Sequence, residues 1–477
     1  MKKYILIILC CLTSFPLWSY NVNMIVEHYS VDQGLPNNTV NCTLKDRDGF
    51  IWFGTWYGLC CFDGVKFKTF NKQEHDSDVP PRKIQRIVED KNGYIWVKTI
   101  DRKLYVFNKV TECFHAVYDD MKNYSENIQV IKLQNTAEGD VLLLTKDKNL
   151  LLAGVDEKGQ VTIKILFDSR DEINKHDYTL KHHVLCETEE YISWIGTDYK
   201  VSAVHKGAEL ASRPADFITS KINSGDKDSF TSFFEDGRKV WVGDRAGIFY
   251  SIDVRTGLVN RYVLSEIKGA ISNLLVTPAG YVYLSVAGQG TYEYDLAERR
   301  LQKINTEMND AMVTHAFIDQ YDKIWFHENE KALIYYDPLN HTAKRFPFTM
   351  FGKITTLYSE DAGERGLFFL SPAGEAWLFD REHAEMVYIN KLKQLSNDRA
   401  NQQFYHLMLD NDGVLWLSSA DEGVYCMNFP KKQFNLLSLS PQSAGQENYT
   451  IGVRALFQSK SGDIWVGTRW QSVYRMD

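Results

Sequence analysis

The sequence predicts an all-β fold built by repetition, and three observations carry that prediction. First, one phrase recurs along the chain. It reads DGFIWFGTWYG around Trp52, NGYIWVKT around Trp96, EYISWIGTD around Trp194, GRKVWVGDRAG around Trp241, DKIWFHE around Trp325, DGVLWLSSADEG around Trp416 and GDIWVGTR around Trp465. Weaker copies put Leu142, Tyr283 and Phe368 in the Trp slot. Second, these ten landmarks stand 42 to 52 residues apart, which is the spacing of a four-stranded propeller blade. Third, the copies share flanks: an alternating apolar run upstream such as Ile84–Asp90, a β run downstream such as Tyr292–Asp295, and often a fourth run such as Lys66–Phe70. Four short period-2 segments divided by Gly and Asp make one antiparallel sheet. The repeat is a blade, and the array is a β-propeller.

In chain order, Lys2, Lys3 and the apolar Tyr4–Leu12 form an export signal, so residues 1–20 read as a signal peptide cleaved near Ser19. The apolar run is too short to span a bilayer. Cys10 opens the alternative of a lipid anchor, although Leu9 stands where a small residue belongs. No later apolar run is long enough for a membrane helix. Met24–Ser30 has strand composition and is expected to complete the last blade of a ring. Gly34–Asn38 then turns into an inner strand, Val40–Leu44.

Repeats from Trp52 to Trp325 number seven, and three more follow at Phe368, Trp416 and Trp465. Rings usually hold four to eight blades, so ten repeats exceed one ring. The favoured partition is a first propeller over residues 21–345 and the opening blades of a second, incomplete one over residues 346–477. Closure after nine repeats, with the polar Lys431–Asn448 as linker, is the alternative. The chain stops right after the strand-like Val473–Asp477, which is expected of a fragment or a truncated gene.

With 44% hydrophobic and 13% aromatic residues the chain can bury substantial cores. Its net charge of −8 becomes −10 when Lys2 and Lys3 leave with the signal. No basic block stands out, which argues against nucleic acid and anionic membranes as partners. Beyond the signal lie Cys42, Cys60, Cys61, Cys113, Cys186 and Cys426, widely spaced and without a CxxC pair. Buried free thiols are expected, with disulfides the alternative for an exported chain. No zinc pattern occurs, and no metal or cofactor is expected.

The search for catalytic groups returns none. Asp46-x-Asp48-Gly49 and Asp410-x-Asp412-Gly413 look like the middle of a calcium loop, but Leu44 and Met408 occupy the preceding ligand positions. They read as turns between first and second strands. Ser224-x-x-Lys227 lacks its companion motifs, Gly288-Gln289-Gly290 lacks a following helix, and His182-His183 is a bare pair. Two acids from different blades could still make a glycosidase pair, yet no position singles itself out.

Binding is the better prospect. Turns between second and third strands share one face of a propeller, and here they vary while the framework repeats. They offer Trp56 and Tyr57, Asp101 and Arg102, Asp198 and Tyr199, Asp244 and Arg245, Gln289, Glu328, Asp421, and Arg469 with Trp470. Aromatic faces stack on sugar rings while carboxylates and guanidinium groups bond hydroxyls or acidic substituents, so the mixture suits an oligosaccharide. Residue by residue, the plain alternative is a polar exposed turn, with Trp56 covering a neighbouring blade.

The run Gly34-Leu35-Pro36-Asn37-Asn38-Thr39-Val40, followed by DRDGFIWFGTWYGLCCFDG and the repeated IWxGT phrase, resembles the two-component-regulator propeller repeat. The chain is similar to the periplasmic sensor region of hybrid two-component systems from glycan-degrading bacteria. That resemblance implies tandem propellers, a β-sandwich, a membrane helix, a histidine kinase, and recognition of an oligosaccharide that switches on genes for glycan use. Against that pattern the sequence ends inside the expected second propeller, without the kinase. The expectation is a periplasmic, non-enzymatic sensor region that contacts membrane only through segments outside this sequence and homodimerises in the full-length receptor. The competing expectations are a propeller glycosidase or lyase and a protein-interaction scaffold.

Overall fold

The computed structural model describes residues 25–70, 80–122, 129–147, 149–167, 180–188, 190–196, 200–207, 217–221, 230–304, 313–328, 331–351, 358–361, 366–371, 375–391, 404–428, 453–459, 463–468 and 473–476. The export signal lies outside them. The chain divides into two compact units, Met1–Phe429 and Pro430–Asp477.

Among the described residues, the first unit holds nine four-stranded antiparallel sheets, one for each landmark from Trp52 to Trp416. The Trp52 sheet is representative, with strands Val40–Lys45, Ile51–Thr55, Gly58–Phe62 and Phe67–Phe70 in sequential order. Its second and third strands are buried at every position, because a sheet packed on both faces needs apolar side chains pointing both ways. Trp52 lies opposite Leu44 on one side and Cys61 on the other. It packs into a core with Ile84, Ile87, Ile95 and Val97 of the next sheet. Cys42, Cys60, Cys61 and Cys426 are buried free thiols, and burial pushes Cys61 and Cys426 up to about 12.

One hydrogen-bond device explains the Asp ahead of five of the seven landmark tryptophans. Asp46 Oδ1 accepts the amides of Asp48 and Phe50 at 3.0 and 2.9 Å, while Oδ2 accepts the Trp52 indole N–H at 2.7 Å. The same carboxylate-to-indole bond joins Asp90 to Trp96 (2.9 Å), Asp236 to Trp241 (2.7 Å), Asp319 to Trp325 (3.3 Å) and Asp410 to Trp416 (3.1 Å). A buried indole N–H requires an acceptor, and the turn supplies it. The Asp46-x-Asp48-Gly49 turn is therefore occupied as a structural cap, and Lys109 of the next sheet adds its ammonium to Asp46, Asp48 and Glu89 at 3.1, 2.7 and 2.8 Å.

The N-terminal strand Ile25–Tyr29 pairs antiparallel with Val424–Asn428 of the Trp416 sheet, Ile25 opposite Asn428 and Tyr29 opposite Val424. This differs from the favoured partition, which put the first boundary near residue 345. The physical reason is an unfilled outer edge. The Trp325 sheet carries its own fourth strand, Thr342–Pro347. Among the described residues, the Trp416 sheet contributes only Phe404–Leu409, Leu415–Ser419 and Val424–Asn428. Ile25–Tyr29 takes the vacant outer position there. The first and ninth sheets are thus neighbours, with Trp416 packed among Leu35, Phe53 and Phe62. The Phe368 and Trp416 repeats, expected to open a second propeller, lie in the same unit as the first seven.

The second unit, taken by itself, contains Val453–Gln458, Ile464–Thr468 and Val473–Met476 as one antiparallel sheet. Trp465 has the register of Trp52, with Phe457 opposite it, but it is 38% exposed where Trp52 is 3%.

Candidate ligand site

The turns between second and third strands lie at the same end as the crossings from one sheet to the next, and backbone bonds knit the two. Lys83 N–H donates to Trp56 O at 2.9 Å, Ile100 N–H to Lys83 O at 2.9 Å, and Val130 N–H to Arg102 O at 2.9 Å. Further round, Lys146 N–H donates to Gln129 O at 2.8 Å and Ala287 N–H to Ala270 O at 2.9 Å. The turn backbones are held by their neighbours, so side chains at the tips sit on a rigid rim.

At several landmarks the side chain of the residue three further on closes the turn from inside. Thr55 Oγ1 donates to Gly58 O at 2.8 Å and accepts Tyr57 N–H at 3.2 Å. Thr99, Thr145 and Ser419 act alike on Lys103, Asn149 and Glu422 amides. Asp244 and Glu328 occupy this same position, so register removes them from the tips. Asp244 is 2% exposed, accepts Ala246 and Ile248 amides at 2.9 and 2.8 Å, and has its carboxyl pushed up by burial. Glu328 is 4% exposed and paired with Arg345 at 2.9 Å. Gln289 is also occupied: its Oε1 accepts Lys268 N–H at 2.7 Å and its Nε2 donates to Glu266 O at 3.1 Å. These three side chains serve the turns. Arg245 and Asp421 are exposed on tips of their own. Asp198, Tyr199, Arg469 and Trp470 lie outside the described residues.

What remains gathers on the Trp52 and Trp96 sheets. Trp56 and Tyr57 are 40% and 64% exposed. Lys83 places its ammonium 5.2 Å from the Trp56 ring centroid, a cation–π contact worth under about 1 kcal/mol at such exposure. Arg102 is exposed at a left-handed φ of 67°, with its carbonyl bonded to Val130. Asp101 accepts the Thr99 hydroxyl at 2.5 Å and pairs with Lys103 at 3.4 Å.

Sequence reasoning missed Lys98. It stands two after Trp96, where the Trp52 and Trp241 sheets have Gly54 and Gly243. Those glycines are there because a Cβ on Gly54 would come within 2.5 Å of Ile84 Cγ2 and one on Gly243 within 2.8 Å of Ile271 Cγ2. Lys98 is only 6% exposed, and its ammonium donates to the Gln85 side-chain oxygen. Burial pushes its pKa below the ordinary lysine value, and Arg102 adds to that shift. Arg86 lies on the inner strand opposite Lys98. After burial it is the second cause holding His406 down to about 4, and it opposes the burial that pushes Cys42 up to about 12. No carboxylate among the described residues forms an ion pair with Lys83, Arg86, Lys98 or Arg102. The signal that could have found Lys98 is a lysine in a column otherwise filled by glycine, serine, leucine and histidine.

At the opposite end of the strands, a cleft of about 560 Å³ opens between the Trp194 and Trp241 sheets. Its lining mixes Arg238, Lys239 and Arg255 with Glu190 and Asp253. Asp253 is committed to its own turn, accepting Arg255 and Thr256 amides at 3.0 Å each.

Residues 34–57 match the family described as Two component regulator propeller. No curated protein matches the sequence. Among solved structures, the extracellular domain of hybrid two component system BT3049 from B. thetaiotaomicron is similar at 17% identity and a TM-score of 0.33. That alignment covers 95% of this chain and 59% of the other, so the chain spans less than two thirds of that relative's length. The extracellular domain of BT4673 from the same organism aligns at 15% identity and a TM-score of 0.36, covering 89% of this chain and 68% of that one. A streptogramin B lyase aligns at 10% identity and a TM-score of 0.36, covering 86% and 98%. Among the described residues no helix is long and apolar enough to cross a membrane. The matched segment covers the first two strands of the Trp52 sheet and ends on Trp56 and Tyr57, the exposed pair of the rim.

Proposed function

We infer that this chain is the ligand-sensing region of an extracytoplasmic two-component regulator and that its ligand is an oligosaccharide. The observation that carries the reading is the exposed Trp56–Tyr57 pair on a backbone-stitched turn at the end of the matched repeat. Two adjacent aromatic faces beside Arg102 and Lys83 can stack on sugar rings and bond their hydroxyls. The protein binds and does not cleave; Asp244 and Glu328, two acids on this end of the sheets, are consumed by their own turns and by Arg345. The export signal expected over residues 1–20 supports a periplasmic location for the region.

A thermal-shift screen of residues 20–477 against several oligosaccharide classes, with product analysis on the same samples, tests this. Saturable stabilisation by one class without cleavage is expected, because a ligand that prefers the folded state raises its melting midpoint. Trp56→Ala should weaken that response at least tenfold, an effect of about 1.4 kcal/mol. Cleavage of any glycan would replace the sensor with an enzyme, and no response from a well-folded sample would favour a protein-interaction scaffold.

A further inference from the structure

We propose that the ligand of this rim is acidic, an oligosaccharide carrying carboxylate or sulfate groups, and that Lys98 and Arg102 bind the acidic substituent. The inference rests on the oligosaccharide reading and narrows it.

The argument starts from cost. A lysine side chain withdrawn from water is held at a loss unless its charge is matched. Lys98 is 6% exposed and is met by an uncharged Gln85 amide. The equivalent positions of the Trp52 and Trp241 sheets manage with glycine, so the fold does not call for a cation there. Arg86 stands opposite Lys98 on the inner strand, and Arg102, four residues beyond Lys98 on the turn that follows, adds to the shift of its ammonium. Three cations therefore converge around the Trp96 sheet without a carboxylate partner among the described residues. Among the described residues, other part-buried cations are matched: Lys109 by three acids, Arg381 by Asp319 and Asp361, Lys206 by Glu138 and Glu187. Cations without a carboxylate partner among the described residues, on the sheet that follows the exposed Trp56–Tyr57 pair, fit an anionic sugar, whose ring stacks while its substituent supplies the missing charge.

The rim is a stronger candidate than the cleft between the Trp194 and Trp241 sheets. There Arg238, Lys239 and Arg255 share the lining with Glu190 and Asp253, so acids already offset part of the positive charge before any ligand arrives.

The test uses calorimetry and thermal shift on the full chain with three probes: oligogalacturonate, a sulfated disaccharide and a neutral xylo-oligosaccharide. Binding of an acidic probe is expected, weakened at least fivefold when ionic strength rises from about 0.05 to about 0.5 M. Lys98→Met and Arg102→Asn should each weaken it tenfold or more, whereas Arg255→Gln in the cleft should leave it unchanged. Asparagine tolerates the left-handed backbone at position 102, so that variant remains informative if Lys98→Met fails to fold. Whether carboxylate or sulfate is the group recognised follows from which acidic probe binds. Binding of the neutral probe alone, or acidic binding indifferent to both rim variants, overturns the inference and leaves the oligosaccharide reading standing. Binding of none of the three by folded protein overturns the inference, and failure across the wider screen above overturns the reading beneath it.

Discussion

The Trp96 sheet and the Leu142 sheet beside it solve one packing problem in two ways. In the first, a fully buried indole fills the slot and Asp90, 1% exposed, accepts its N–H. In the second, Leu142 fills the slot at 1% exposure and the turn residue is Thr136, whose hydroxyl accepts the Asp140 amide at 3.1 Å. The Tyr283 sheet makes the second choice with Thr277, which accepts the Tyr281 amide at 3.1 Å, while the Tyr283 hydroxyl turns instead to Glu293 at 2.8 Å. The slot and the turn residue therefore change together in these sheets. In these sheets the carboxylate accompanies an indole and the hydroxyl caps amides alone, whereas Thr188 and Ser459 precede Trp194 and Trp465. The apparently weak repeats follow their own internally consistent rule.

Breaking one half of that pairing should cost most. Trp96→Leu removes a large buried ring and deprives the Asp90 carboxylate of its indole donor, for an expected loss of about 3–4 kcal/mol. Adding Asp90→Thr converts the blade to the Leu142 pattern. The double variant should be more stable than the sum of the two single losses predicts, by about 1–2 kcal/mol of coupling in a double-mutant cycle. Additive losses, read from chemical or thermal unfolding, would mean that the indole bond does not link the two positions. The converse substitution sharpens the comparison from the other side. Thr136→Asp places a carboxylate next to Leu142 with no indole to bond, and a loss of about 1–2 kcal/mol is expected. A neutral or stabilising result would show that the amides of this turn satisfy a carboxylate by themselves.

This pairing was legible in the sequence and went unread. Asp46, Asp90, Asp319 and Asp410 each stand six residues before their Trp, and Thr136 and Thr277 stand six before Leu142 and Tyr283. The repeat itself was readable because period-2 strands and Gly-Asp turns are local features. Which strand completes the Trp416 sheet was not, because pairing of Ile25–Tyr29 with Val424–Asn428 spans almost the entire unit and depends on which outer edge is vacant. The candidate site was half legible for a related reason. Trp56, Tyr57 and Arg102 fall on turn tips, but Asp244 and Glu328 fall one step earlier, at the buried closing position. A polar residue after a Gly or His looks like a tip until the register assigns it. Lys98 was invisible as a site because strand positions were read only as framework.

The smallest expected effect concerns what the carboxylates attract. Three of the Asp turns draw a cation from an adjacent sheet: Lys109 lies 3.1 Å from Asp46, Arg381 2.5 Å from Asp319 and Lys45 3.5 Å from Asp410. Thr136 and Thr277 have no charge with which to do so. Lys109→Met would leave Asp46, Asp48 and Glu89 with carboxylate oxygens all within 4.8 Å of one another and nothing between them. The melting midpoint should drop by roughly 1–3 °C near neutral pH. The pH dependence should change sign as well. In the natural chain the Lys109 bond holds the Asp48 carboxyl below its usual value, so that stabilisation is present above the usual carboxylate range and fades as pH falls through the lowered value. In the variant, protonation relieves repulsion, so stability should rise as pH falls through the carboxylate range. Calcium should also raise the midpoint of the variant, since three converging carboxylates suit a hard cation, and should leave the natural chain unaffected. A variant with an unchanged pH profile and no calcium response would show that Lys109 merely covers the turn, and that the difference between Asp and Thr blades ends at the indole.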